Sequence, residues 1–168
     1  MKKIVIIMLI LISVSIVFFI SYSSCSNPEE VVNDVLLELL VYDYEDIKEL
    51  EPEEVSDLQK QSMKKLKNNF TDEEFEKLSN RLSQFTSLTI FYQLKCSTEI
   101  VEIEYDLREL DNAIVIYYTV HMKLIYEDTN KEDEIIQLEG IVSINDEDKC
   151  YKIDKIQHDT RSIKILIP

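Results

Sequence analysis

The chain has only one glycine among its 168 residues. This excludes a glycine-rich phosphate loop, a dinucleotide-binding fingerprint and a nucleophile elbow, because each of these motifs needs several glycines at fixed spacing. Histidine is almost as scarce, with His121 and His158 alone, and no Cys-x-x-C spacing occurs. A zinc site is therefore not expected. The acidic loops lack the ligand spacing of a calcium loop, so we expect no metal and no cofactor.

Positive charge is also in short supply. Lys+Arg 18 against Asp+Glu 33 gives a formal net charge of −15. A chain of this charge lacks the cationic surface that nucleic-acid binding requires, and it will not adsorb to an anionic membrane surface. Membrane attachment must therefore come from the N-terminus. Hydrophobic residues make up 45% of the chain, which is enough for a folded core and excludes a disordered acidic tail.

The N-terminus has the pattern of an export or anchor segment. Met1-Lys2-Lys3 is followed by an apolar run from Ile4 to Ile20. As a helix this run would be roughly 25 Å long, near the lower limit for crossing a bilayer, with the two lysines on the cytoplasmic side. We assign residues 1–24 to a signal peptide or signal anchor and residues 25–168 to a single extracytoplasmic domain.

Three interpretations fit the residues that end this segment. The first is lipidation at Cys25, since Tyr22-Ser23-Ser24-Cys25 resembles a bacterial lipobox. The second is an uncleaved transmembrane helix, and the third is cleavage after Ser23 with release of a soluble protein. All three place the domain outside the cytoplasm.

The two remaining cysteines depend on this choice. If Cys25 carries lipid, Cys96 and Cys150 are left as an even pair in an oxidising compartment. Either they form a disulfide, or they are two separate buried thiols.

Three helices are predicted in the first half of the domain. Asn27-Pro28-Glu29-Glu30 combines a capping residue, a first-turn proline and two acids, and the apolar spacing that follows predicts a helix to about Tyr42. The segment 51–54 starts a second helix in the same way. Residues 71–74 form a capping box that predicts a third.

Alternating apolar residues in the second half predict an antiparallel sheet with one buried face. The alternating segments are 88–94, 101–107, 114–126, 136–144 and 151–153. Gly140, the single glycine, falls in mid-strand on the buried register. A glycine there indicates a bulge, a bend or the close approach of another backbone.

Two segments resemble the nuclear transport factor 2-like superfamily. They are the opening stretch 28–50 and the closing strand 148–157, in which Tyr151, Lys152 and Ile153 match the usual aromatic residue and "KI" pair. The resemblance implies an α+β fold in which N-terminal helices pack on a curved antiparallel sheet; cystatin-like folds are near neighbours. Members of the superfamily include dehydratases, isomerases, dimerisation modules and extracytoplasmic domains of conjugation-channel subunits behind one membrane helix.

The alternation also assigns side chains to the two faces of the sheet. Three tyrosines fall on the buried register, where they either line a pocket or pack in the core: Tyr105, Tyr118 and Tyr126. Four outward residues interrupt polar neighbours and form a predicted interaction face: Val115, Tyr117, Thr119 and Ile125. His121 also points outward, and no inward acid is paired with a histidine. No acid-base set can be assigned, and we expect no catalytic activity.

The functional expectation is a non-catalytic binding module of the bacterial envelope, tethered to the membrane as a lipoprotein. Its partner would be another envelope protein, a second copy of the chain or a small ligand. One alternative is a conjugation or secretion-channel subunit with one transmembrane helix. Another is a small-molecule pocket enzyme of the same fold.

Overall fold

The computed structural model describes residues 27–81, 87–110, 113–147 and 150–158. Cys25 and the predicted export segment 1–24 lie outside the described residues. The helices are α1 Pro28–Leu40, α2 Pro52–Lys65, α3 Asp72–Arg81 and α4 Ser87–Leu94, with short 3-10 turns at Tyr44–Asp46 and Leu66–Asn69. The strands are β1 Cys96–Leu110, β2 Ala113–Tyr126, β3 Glu134–Glu147 and β4 Cys150–His158.

The four strands form one antiparallel sheet in the order β1-β2-β3-β4. The helices cover one face, which we call the inner face, and the opposite face is the outer face. The predicted α+β class, with helices packed on a curved antiparallel sheet, is confirmed. Apolar residues of α1 and of the central strand β2 meet in the core. They include Val32, Val35 and Leu36 from α1, and Ile116, Val120, Met122 and Leu124 from β2.

Helix α1 begins as its sequence predicts. The Asn27 side chain accepts a hydrogen bond from the Glu30 amide at 2.8 Å, and the Glu30 carboxylate accepts one from the Asn27 amide at 3.1 Å. Pro28 occupies the first turn, where its missing N–H is no loss. The helix ends at Leu40, two residues before the predicted end.

Thr98 joins the end of α1 to the start of the sheet. Its hydroxyl donates to the Leu40 carbonyl at 2.6 Å and accepts from the Tyr42 amide at 2.8 Å. The Thr98 amide in turn donates to the Tyr42 carbonyl at 2.8 Å. Because Thr98 is buried, these bonds satisfy backbone groups that water does not reach.

A bulge at Val101 changes which β1 side chains face the core. Before it, Ile100 pairs with Met122 of β2; after it, Glu102 pairs with His121, so Val101 is an extra residue in β1. The extra residue reverses the alternation, since side chains of a strand point to opposite faces with a period of two. Val101, which we predicted to alternate with the buried set, is 56% exposed.

The segment 88–94 was predicted as a strand, and this prediction is wrong: residues 87–94 form helix α4. Leu88 and Phe91, three residues apart, are both fully buried. In a helix this spacing puts them on one face. Five of its seven residues are apolar, so a period of two and a helical period both fit the segment.

The edge of β4 that does not pair with β3 is covered by the segment that leads into α3. Phe70 forms a parallel bridge with Ile153, and the Thr71 amide donates to the Ile153 carbonyl at 3.0 Å. The buried carboxylate of Glu74 accepts from the Ile156 amide at 3.2 Å. The predicted capping box is therefore only half formed. The Glu74 amide donates to the Thr71 hydroxyl at 3.4 Å, while the Glu74 side chain binds β4 instead of the helix start.

Candidate functional site on the outer face of the sheet

All four residues of the predicted interaction face belong to the outward register of β2. Tyr117 and Ile125 are exposed, whereas Val115 and Thr119 are half-buried. Ile135 and Ile141 of β3 lie on the same face, and Ile135 is 65% exposed. The outer face therefore carries more uncovered apolar surface than the sequence analysis assigned to it.

An open groove of about 450 Å³ crosses the outer face. Tyr117 and Thr119 line it together with Glu139, Ile141 and Gln157, and Tyr118 and Gly140 complete its lining. The register explains this grouping, since Tyr117 pairs with Ile141, and Ile141 pairs with Gln157. Glu139 and Ile141 come from β3 and Gln157 comes from β4. The sequence analysis missed these three residues because the pairing of the two strands was not assigned.

Charged side chains surround the groove. The Arg108 guanidinium lies 4.7 Å from the centroid of the Tyr117 ring and binds the Asp106 carboxylate at 2.7 Å. A cation over an aromatic ring is attracted to the ring face. Arg108 therefore holds Tyr117 at the surface, where its ring can contact a partner.

A second group of charged side chains lies on the outer face next to Thr119, which lines the groove. Glu102 is opposite His121, and Glu104 is two residues further along the same face of β1. One potential ligand atom from each of these three side chains lies within 4.8 Å of the others. We call this group the Glu-Glu-His cluster. Sequence reasoning placed each residue outward but did not bring the three together.

The three tyrosines of the buried register pack in the core or at its margin. Tyr118 and Tyr126 are buried and Tyr105 is half-buried. Burial raises the pKa of Tyr105 to about 12, and it also raises the pKa of Tyr118 and Tyr126. Tyr126 lies at the far end of β2, opposite Cys96. Of the three, only Tyr118 borders the groove.

The two described cysteine positions stand at opposite ends of the sheet. Cys96 pairs with Tyr126, whereas Cys150 pairs with Glu147 at the other end. A disulfide needs Cα atoms within about 7 Å of each other. A bridge between these two positions, one of the two predicted alternatives, does not fit this separation; Cys96 is a free thiol, 3.8 Å from the Phe91 carbonyl oxygen. Burial raises the pKa of Cys96 to about 11.

A second groove, of about 510 Å³, lies between α1 and α2. Its exposed apolar side chains are Leu37, Val41 and Leu58. Asp34 and Glu38 make its rim acidic, and the Lys65 ammonium binds Glu38 at 2.9 Å. No strand contributes to the lining of this groove, and Tyr42 is the one aromatic residue among its lining residues.

The interior offers one buried carboxylate among the described residues, that of Glu74. Each of its two oxygens has a partner. One accepts a hydrogen bond from the Ile156 amide at 3.2 Å, and the other lies 4.0 Å from the Lys77 ammonium. His121 is on the opposite side of the sheet from the core. His121, the one histidine whose side chain the structure describes, does not accompany this acid.

No helix within the described ranges combines the length and the apolar composition needed to cross a bilayer. No protein-family model matches the chain. No curated protein matches it either.

Three solved structures resemble this chain to different degrees. An IcmL-like type IV secretion system protein from Legionella pneumophila has a TM-score of 0.52 at 11% identity, covering 77% of this chain and 87% of that one. The intermembrane-space region of the chloroplast protein ARC6 has a TM-score of 0.39 at 8% identity, covering 63% of this chain and 88% of that one. A periplasmic fragment of TraM has a TM-score of 0.39 at 15% identity, covering 75% and 95%. The first likeness shows a shared α+β fold with a curved antiparallel sheet.

Proposed function

We propose that this chain is a non-catalytic binding subunit of an envelope-associated secretion or conjugation complex. Residues 25–168 form its extracytoplasmic domain, and the N-terminal segment holds that domain at the membrane. The fold belongs to the nuclear transport factor 2-like superfamily in this proposal. Support comes from the apolar N-terminal run, and from a fold shared with a protein that is itself named as a type IV secretion system component.

The observation that carries the proposal is the outer-face groove. Tyr117 and Ile141 offer an aromatic and an aliphatic contact side by side, and Thr119 and Gln157 supply hydrogen-bonding groups next to them. Interfaces between proteins are built in this way, with a few large side chains at the centre and polar groups around them.

The charge of the face selects the chemistry of the partner. Glu102, Glu104 and Glu139 lie around Thr119 on the outer face, and the whole chain carries a net charge of −15. A second copy of the chain would bring like charges together, which is unfavourable. The partner we propose is therefore another envelope protein with a basic surface and an apolar side chain that fits the groove.

The test is site-specific crosslinking in the membranes of the native host. A photoreactive amino acid replaces Tyr117 in the full-length chain, and a matched variant carries it at Glu73, an exposed position on α3. We expect the Tyr117 variant to capture a basic envelope protein and the Glu73 variant to capture none. The substitution Ile141→Asp should abolish the capture, because it places a charge in the apolar part of the groove.

Three results would overturn the proposal. They are equal capture from both positions, capture that survives Ile141→Asp, and capture of a second copy of the chain alone. A third photoreactive position, Leu58 in the groove between α1 and α2, covers the other candidate surface. Capture from Leu58 without capture from Tyr117 would move the binding site to the helices.

The mode of anchoring needs its own measurement. Metabolic labelling with a fatty acid distinguishes a lipid at Cys25 from a retained transmembrane helix. Label that is present on the native chain and lost in Cys25→Ala supports lipidation. An unlabelled chain that stays in the membrane fraction supports the helix, and an unlabelled chain in the medium contradicts membrane tethering altogether.

A further inference from the structure

The Glu-Glu-His cluster places three metal-ligating side chains at one point of the outer face. Glu102 and His121 are direct cross-strand partners, and the Glu104 carboxylate is 3.9 Å from Nε2 of His121. His121 is 31% exposed, so its ring is fixed by its neighbours but still open to solvent. This geometry does not depend on the partner proposed above.

The bulge at Val101 creates the cluster. Cys96, Thr98 and Ile100 face the core before the bulge. Without the extra residue, the alternation would turn Glu102 and Glu104 toward the core as well. The bulge reverses the alternation and brings both glutamates to the face that carries His121. Bulges are found next to functional sites, where they redirect side chains in this manner.

The cluster carries more negative charge than its surroundings neutralise. Strands β1 and β2 contain two cationic residues, Arg108 and Lys123, and each binds another acid at 2.7 Å, Asp106 and Asp133 respectively. Across the described ranges, no lysine or arginine forms an ion pair with either glutamate of the cluster. A bound cation would relieve the repulsion between the two carboxylates.

We propose that the Glu-Glu-His cluster is a binding site for a divalent transition-metal ion of the zinc type. One imidazole nitrogen with carboxylate oxygens is a ligand set that zinc accepts, whereas calcium and magnesium prefer sites made of oxygen alone. Three protein ligands at a solvent-exposed position leave room for water to complete the coordination. The site goes beyond the proposed function, since it requires no partner: Glu102 and Glu104, which also belong to the acidic surface described above, would bind the ion in the free chain.

The test is calorimetric titration of the full-length chain in detergent, with zinc chloride and separately with calcium chloride. Cys25 and Cys150 are changed to serine in the background, which removes thiols that would compete for zinc. We expect one zinc ion per chain and at least tenfold weaker binding of calcium. His121→Ala should weaken zinc binding about tenfold or more, and Glu102→Gln and Glu104→Gln should each weaken it severalfold.

Two matched controls should bind zinc as the background does. His158→Ala removes the other histidine, and Glu99→Gln removes an exposed β1 carboxylate outside the cluster. Circular dichroism checks that each variant is folded, and His121→Gln replaces His121→Ala if the latter is not. Zinc affinity that is unchanged by His121→Gln and Glu104→Gln would overturn the proposal. So would equal binding of calcium and zinc, which would indicate attraction by charge alone.

Discussion

The ring of Tyr118 on β2 lies in the space that a side chain at position 140 of β3 would need. Tyr118 and Gly140 are cross-strand partners. A Cβ atom added to Gly140 would collide with the phenol end of Tyr118, and it would lie 2.6 Å from the Gln157 carbonyl oxygen. Gly140 does not have a positive φ. The only glycine of the chain is therefore required for space. Of the three predicted alternatives at this position, the close approach of another backbone agrees with the Gln157 carbonyl, and the Tyr118 ring adds a side-chain contact that was not predicted.

Replacing this glycine should destabilise the fold. We expect Gly140→Ala to lower the free energy of unfolding by about 1–3 kcal/mol, because either the Tyr118 ring or the β4 backbone must move. Urea denaturation of the full-length chain in detergent, followed by circular dichroism, measures the change. Ser143→Ala, at an outward position of the same strand, should change stability by less than about 0.5 kcal/mol. A Gly140→Ala variant as stable as the native chain would contradict the steric argument.

The Tyr118 and Gly140 substitutions should also be coupled. A smaller side chain in Tyr118→Leu makes room for the added methyl group, so Gly140→Ala should cost less in that background than in the native chain. Residues in direct contact show such non-additive effects, whereas independent sites do not. Strict additivity in the double-mutant cycle would mean that the Gln157 carbonyl, rather than the Tyr118 ring, makes the limiting contact.

Thr98 should stabilise the junction between α1 and β1 through its hydroxyl. Thr98→Val keeps the shape but leaves the Tyr42 amide and the Leu40 carbonyl without their partner, and an unsatisfied buried group costs about 1–3 kcal/mol. Thr98→Ser keeps the hydroxyl and should be less destabilising than the valine variant. The same denaturation experiment compares them. If Thr98→Ser is the less stable of the two, the methyl group rather than the hydrogen bonds determines stability here.

The Glu74 carboxylate should hold α3 against the edge of β4. Glu74→Ala leaves the Ile156 amide unpaired and is expected to cost about 1–3 kcal/mol. Glu74→Gln retains an oxygen acceptor and should cost less. Glu73→Ala on the same helix removes an exposed ion pair with Lys77, which water and salt screen, so it should change stability much less than Glu74→Ala. Equal losses at positions 73 and 74 would show that the buried hydrogen bond has no special weight.

The sequence determines the order of elements well, because the signals are local. Asn27-Pro28-Glu29-Glu30 forms the predicted helix start, and the long alternating run 114–126 forms the predicted central strand. The segment 88–94 was misassigned because its apolar residues fit two periods. Only the tertiary environment, which buries Leu88 and Phe91 together, resolves this choice.

The candidate site was harder to predict because it depends on strand register. Outward positions such as Tyr117 could be read from alternation, but the pairing of Tyr117 with Ile141 could not. The pairing of Glu102 with His121 follows the register in which Leu110 pairs with Ala113, and that register was likewise not assigned from the sequence. The bulge at Val101 shows in the sequence only as two adjacent apolar residues, Ile100 and Val101, and a pair of this kind is also common in regular strands.

The fold should lose stability at alkaline pH. Burial raises the pKa of Cys96 from 9.0 to about 11, and that of Tyr105 from 10.0 to about 12. Between the ordinary pKa and the raised pKa of each group, the folded chain keeps a proton that the unfolded chain has released. The free energy of unfolding therefore falls as the pH rises from about 9. Below pH 9 this contribution to stability is complete.

Urea denaturation at a series of alkaline pH values measures the decline. In Cys96→Ala the part that begins near pH 9 should be absent, and the decline should begin about one unit higher, with Tyr105 and the other tyrosines whose pKa burial raises. An unchanged onset in that variant would show that the Cys96 thiol does not titrate differently in the two states.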